Sequence, residues 1–129
     1  MAEMQVELVA VERKVWSGTA EFVFARTSVG EIGILPHHEP LIAQLTDAGM
    51  VRIDASEGGE SVRAAVFGGF LSMDGEKLTI LAEEAELGDE IDVSAAQQER
   101  DSASTDDAEG RAAKARAEAR LAAAGQGSE

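Results

Sequence analysis

Beyond Val93 the chain carries a single large apolar side chain, Leu121, although it runs on to residue 129. Every other Val, Ile, Leu, Met, Phe and Trp lies earlier. A stretch with one large hydrophobe cannot bury enough surface to offset the entropy of ordering it. The chain therefore divides into a core-bearing body, residues 1–88, and a C-terminal segment, 89–129, that must dock on some surface or stay mobile.

Within the body the apolar period is two, the mark of half-buried strands. Val6, Leu8 and Ala10 alternate with Gln5 and Glu7, and Phe22 and Phe24 share a face across Val23. Val51 and Ile53 flank Arg52; Val62, Ala64 and Val66 form another set; Leu78 and Ile80 flank Thr79. Turn signals fall at Ser17-Gly18, Ala48-Gly49, Glu57-Gly58-Gly59 and Asp74-Gly75. Asp-Gly suits a hairpin because both residues tolerate positive φ. Gly68-Gly69 marks either a strand bend or a place of close backbone approach. About eight to ten short strands at this spacing predict an all-β sandwich or flattened barrel.

The C-terminal segment follows helix rules. Ser94 can cap a short helix over about 94–100, residues 101–106 (DSASTD) read as a polar hinge, and 107–124 are rich in strong helix formers, interrupted by Gly110. On a helical wheel Ala108, Ala112, Ala115, Ala119 and Ala122 share a face, with Arg116 and Arg120 on one side of it and Arg111 and Lys114 on the other. Those four cations balance the four acids of residues 107–129, so the whole net charge of −14 sits on residues 1–106. The two parts should meet different surfaces.

Composition narrows the chemistry. A strongly acidic chain repels nucleic-acid phosphates. There is no cysteine for a disulfide or thiolate site, no apolar run long enough to span a bilayer, and no secretory or transit signature at the N-terminus. His37-His38-Glu39 would need further convergent ligands to hold a metal, and adjacent extended residues point apart. The acids Glu83, Glu84, Glu86, Asp89, Glu90 and Asp92 lack the spacing of a calcium loop and read as a solvated edge. Neither a nucleophile elbow nor a phosphate loop is present. No catalytic residue, metal or cofactor is expected. Read from the residues alone, the chain fits a partner-binding subunit, a free-standing β-sandwich interaction module with a mobile helical tail, or a small jelly-roll enzyme using His37 or His38.

Val29 to Pro40, VGEIGILPHHEP, combines permissive glycines with fixed prolines and predicts a short strand entering a stiff, exposed loop. With Val6 to Gly18, Gly49 to Ile53 and Gly68 to Glu86 (GGFLSMDGEKLTILAEEAE), it resembles the epsilon subunit of bacterial F-type, proton-translocating ATP synthase over about residues 4–93. The resemblance implies an N-terminal β-sandwich and a C-terminal helical hairpin. It implies a non-catalytic place in the central rotor stalk, bound to the gamma subunit and resting on the c ring, peripheral at the cytoplasmic face of the cell membrane. Glu31 and His38 match positions that face the c ring. The hairpin would restrain ATP hydrolysis by extending to the alpha and beta subunits of the catalytic head, with Arg111, Lys114, Arg116 and Arg120 available for docking. Glu86 and Asp92 match nucleotide-binding positions of some members, but Ala95 stands where their arginine does, and a phosphate needs that positive charge.

Overall fold

The computed structural model describes residues 2–56 and 59–125, so the predicted turn at Glu57-Gly58 lies outside the described residues. Seven strands come first: β1 (Met4–Ala10), β2 (Lys14–Thr27), β3 (Gly30–Ile34), β4 (Leu41–Gln44), β5 (Gly49–Ala55), β6 (Ser61–Met73) and β7 (Lys77–Leu87). A one-turn 3-10 helix at Gly88–Glu90 leads into helices α1 (Val93–Ser102) and α2 (Ala108–Ala123).

Among the described residues seven strands stand where about eight to ten were expected, because three of them are long. β2, β6 and β7 run 14, 13 and 11 residues, and each serves both halves of the body. The early part of β2 pairs with β1, while its later part pairs with β3 and β5. β6 pairs with β5 through residues 61–66 and with β4 through 70–73. β1 lies parallel to β7 and antiparallel to β2, which closes the sheet on itself. Ser17 and Gly18, read as a turn, sit inside β2 opposite Glu7 and Val6, with Gly18 under the Trp16 ring.

Alternation positions the core. Val6, Leu8, Val23, Ala25, Val51, Ile53, Leu71, Met73, Leu78 and Ile80 all point inward and are fully or almost fully buried. At the β6–β7 turn the Asp74 carboxylate accepts from the backbone N–H of Glu76 and Lys77, and Gly75 adopts φ 105°, the conformation that Asp-Gly favours. These two N–H groups hold the Asp74 carboxyl below its ordinary range.

Both helices start on aspartate caps. Asp92 accepts from Ala95 N–H and Asp107 from Gly110 N–H. Asp92, rather than Ser94, is therefore the cap of α1.

Candidate functional site

Three surfaces could carry function: the edge around β3, an uncovered apolar strip, and the seat of the C-terminal helices.

The first contains the predicted pair Glu31 and His38, which the fold separates. Glu31 lies in β3, one residue in from its start, and pairs with Arg26 of β2 at 2.7 Å. His38 lies past the other end of that strand, in the loop that follows. There Pro36 and His37 form a turn closed by His38 N–H donating to Leu35 O, and His37 N–H donates to Gly75 O across on the β6–β7 turn. His37 takes φ 67°, a left-handed value that costs a non-glycine residue energy. His38 Nδ1 is 2.8 Å from the Glu39 carbonyl oxygen. The loop is stiff because backbone bonds tie it at two points. Among the described residues, no group of three His, Cys, Asp or Glu side chains is placed to hold a metal.

The second surface is the outer face of β4, the later part of β6, and β7. Phe70 lies directly between Gln44 and Leu81 in the pairing register, with Ile42 beside them. Ile42, Phe70 and Leu81 are 78%, 54% and 52% exposed. Scattered exposed hydrophobes are ordinary, but three large ones on adjoining strands form a patch that water solvates poorly.

The third surface is where α2 lies against the outer side of β5 and β6. Ala119 and Ala123 bury against Ala65 and Phe67, with Ala48, Met50 and Ile91 at the margin. The expected alanine face is used only in part: its member Ala119 is buried and Ala122 half-buried. Ala108, Ala112 and Ala115 are exposed, whereas Ala117, Ala119, Leu121 and Ala123 are buried. A helix with almost no large side chains has no strongly preferred face of its own, so the partner surface selects it. The C-terminal end of α2 reaches Gly88, where any Cβ would collide with the Ala123 carbonyl oxygen.

Acid–base pairs frame this seat. Arg120 grips Glu86 of β7 with two bonds, Nε to Oε1 at 2.9 Å and Nη2 to Oε2 at 3.2 Å, and its Nη1 reaches Glu99 of α1 at 3.4 Å. Arg116 donates to Glu84 at 3.1 Å. Both guanidinium groups stand over the Phe67 ring, at 4.4 Å for Arg116 and 5.0 Å for Arg120. Hydrogen bonding to Glu86 raises the proton affinity of Arg120 further, so it is always charged. Arg111 instead donates to the Thr105 carbonyl oxygen of the hinge, and Lys114 is half-buried on α2. Of the two predicted nucleotide positions, Glu86 is engaged by Arg120 and Asp92 is engaged as a helix cap.

Phe67 and Glu99 escape the sequence reading, and Glu84 and Glu86, read as part of a solvated acidic edge, are engaged by Arg116 and Arg120. One signal was available: Ala64-Ala65-Val66-Phe67 is apolar at both parities, which marks a strand covered on two faces. In the structure α2 is the second cover.

The sequence profile of the ATP synthase, Delta/Epsilon chain, beta-sandwich domain matches residues 3–88. The ATP synthase epsilon chain of Mycobacterium avium (strain 104) is 57% identical over 125 residues, covering 97% of this chain and 98% of that one. That of Mycobacterium tuberculosis (strain ATCC 25618 / H37Rv) is 59% identical over 102 residues, covering 79% and 84%. Two cryo-EM structures share the fold. One is from the Euglena gracilis mitochondrial ATP synthase (OSCP/F1/c-ring in rotational state 1), with TM-score 0.67, 24% identity and coverage of 94% of this chain and 76% of that one. The other is from the central stalk/c-ring of the Tetrahymena thermophila mitochondrial ATP synthase, with TM-score 0.64, 18% identity and coverage of 93% and 95%.

Proposed function

The chain belongs to the epsilon-chain family of ATP synthase, a non-catalytic subunit of that complex, and we propose that it couples rotation of the c ring to the catalytic head by docking on the gamma subunit. The observation that carries this reading is the uncovered strip of Ile42, Phe70 and Leu81. A rotor contact must transmit torque, and a rigid sheet face with an apolar centre gives a partner a firm, desolvated seat. The β3 edge and the stiff loop after it, with Glu31 and His38, supply the contact with the c ring. The subunit then sits peripherally at the cytoplasmic face of the bacterial membrane, held there by the complex. Among the described residues no helix is long and apolar enough to cross a bilayer.

The test is co-purification of gamma with the Phe70→Glu/Leu81→Glu chain. Both side chains are exposed, so the sandwich should keep its circular dichroism while gamma is lost. Undiminished recovery of gamma would overturn the docking assignment. Glu31→Ala with His38→Ala should weaken c-ring recovery and leave gamma bound.

The C-terminal helices add regulation. Docked on the sheet, α2 cannot touch the catalytic head; released, its cations can reach acidic surface on the alpha and beta subunits and restrain ATP hydrolysis. Assembled complexes lacking residues 107–129 should hydrolyse ATP faster than complexes with the full chain. Equal rates would remove the inhibitory role and leave the rotor role standing.

A further inference from the structure

We infer that Arg116 and Arg120 are the latch that holds the C-terminal helices on the body, and that α1 and α2 are held and released together through them. This deepens the regulatory reading above, but the latch is a property of the isolated chain and stands or falls without it.

The layer order is the first support. α2 lies on β5 and β6, while α1 packs against α2 and makes no comparable contact with the sheets. Among the described residues, the ion pair that joins α1 to another element is Glu99–Arg120. Arg120, on α2, thus reaches the layers on both sides of it: Glu86 on β7 and Phe67 on β6 in the sheet, and Glu99 on α1. Loss of that one guanidinium loosens both helices.

The chemistry of the seat is the second support. Its apolar part consists of alanines against Ala65 and Phe67, which bury little area per residue. Exposed ion pairs contribute little, but this pair of cations is stacked on an aromatic ring, and Arg120 is only 18% exposed. A bidentate guanidinium–carboxylate pair also fixes direction, which an alanine stripe cannot do. The latch therefore specifies where α2 lies as well as how firmly.

Charge accounting is the third support. The acids facing the two arginines come from two elements, Glu84 and Glu86 on β7 and Glu99 on α1. The docked state engages two of the four cations on α2. An acidic partner surface must displace those glutamates before it can use Arg116 and Arg120, so docking at home and docking elsewhere are mutually exclusive.

The experiment is amide hydrogen exchange on the full chain, comparing wild type with Glu84→Lys/Glu86→Lys and with a charge swap that adds Arg116→Glu/Arg120→Glu. In the reversed chain, exchange in residues 93–102 and 108–123 should rise together by about tenfold while the strands keep their protection. The charge swap, carried out with Glu99→Lys so that Arg120→Glu still meets a cation on α1, should restore part of the protection to both helices; the stacking on Phe67 is lost with the arginines, so recovery is incomplete. The latch is overturned if the reversed chain keeps α2 protected, or if the swap restores nothing. Release of α2 with α1 still protected overturns the single-unit claim. Should the reversed chain lose its strands, Glu86→Gln, which removes one charge at constant shape, decides by the same comparison. ATP hydrolysis is not a readout here, so failure of the latch and failure of the inhibitory role are separable.

Discussion

A methyl group at Gly69 would have no space. Its φ is 119°, where side chains are strained, and a Cβ would strike the Leu81 carbonyl oxygen on the neighbouring strand. Gly68 and Gly69 stand where β6 passes from β5 to β4: Gly68 N–H donates to Thr46 O, and Gly69 O accepts from Leu45 N–H. Gly69→Ala should therefore destabilise the body by about 3 kcal/mol, read as a lower urea midpoint at unchanged slope. Charge acts at this scale too. Arg13 bonds both carboxylate oxygens of Glu90, Leu87 N–H adds a third bond, and the Glu90 carboxyl is held below its ordinary range. Glu7, between Lys77 and Lys14, is lowered in the same way. A carboxyl lowered by folding stabilises above its unfolded pKa, and that share is lost as pH falls through the folded value. Glu90→Gln should lower Tm at pH 7, and the gap to wild type should close as the solution is acidified toward pH 3. A gap that stays constant across that range would contradict the assignment.

For the helices, the balance between apolar and ionic contacts decides. Burying an alanine methyl contributes about 0.8 kcal/mol at most, whereas a leucine side chain contributes about 1.5–3 kcal/mol. Leu121, 1% exposed, is the large apolar side chain of α2, and with Ala117 one turn earlier it lies on the side of the helix opposite Ala119 and Ala123, where α1 rather than the sheet covers it. Leu121→Ala should therefore cost about 2–3 kcal/mol of the packing between α1 and α2. Exchange should rise in residues 93–102 and leave the strands unchanged; an α1 as protected as in wild type would contradict it. The exposed Arg116–Glu84 pair adds only about 0–1 kcal/mol, and each ring-stacked cation about 0.5–2 kcal/mol. These small terms act on the sheet side beside Ala119 and Ala123, so the docked state is only modestly favoured and a partner can compete for the helices.

In the molecule as a whole, the body has a core that excludes the helices. The buried residues of the sandwich interior form one cluster, and the helix contacts form another on its outside. A chain ending at Asp92 should keep a single cooperative thermal transition. It should also bind a hydrophobic dye more strongly than the full chain, because Ala65, Phe67 and Met50 lose their cover. Loss of cooperativity would show that the helices are part of the folding unit.

Strands then helices, and the inward residues of β1, β5, the first part of β6 and β7, were legible in the sequence, because alternation and helix propensity are local properties. In β2 the sequence points to Phe22 and Phe24 as the apolar face, whereas the core takes Val23 and Ala25. Asp74-Gly75 was legible for the same reason: a turn is decided by its own few residues. The tertiary structure alone decided which sides of α2 are covered, by the sheet at Ala119 and Ala123 and by α1 opposite, and what Arg116 and Arg120 hold. A helix built of alanine and charge prefers no face until a surface is offered. That surface brings β7, Phe67 and α1 together from positions far apart in the chain, and the partners of the two arginines emerge only there.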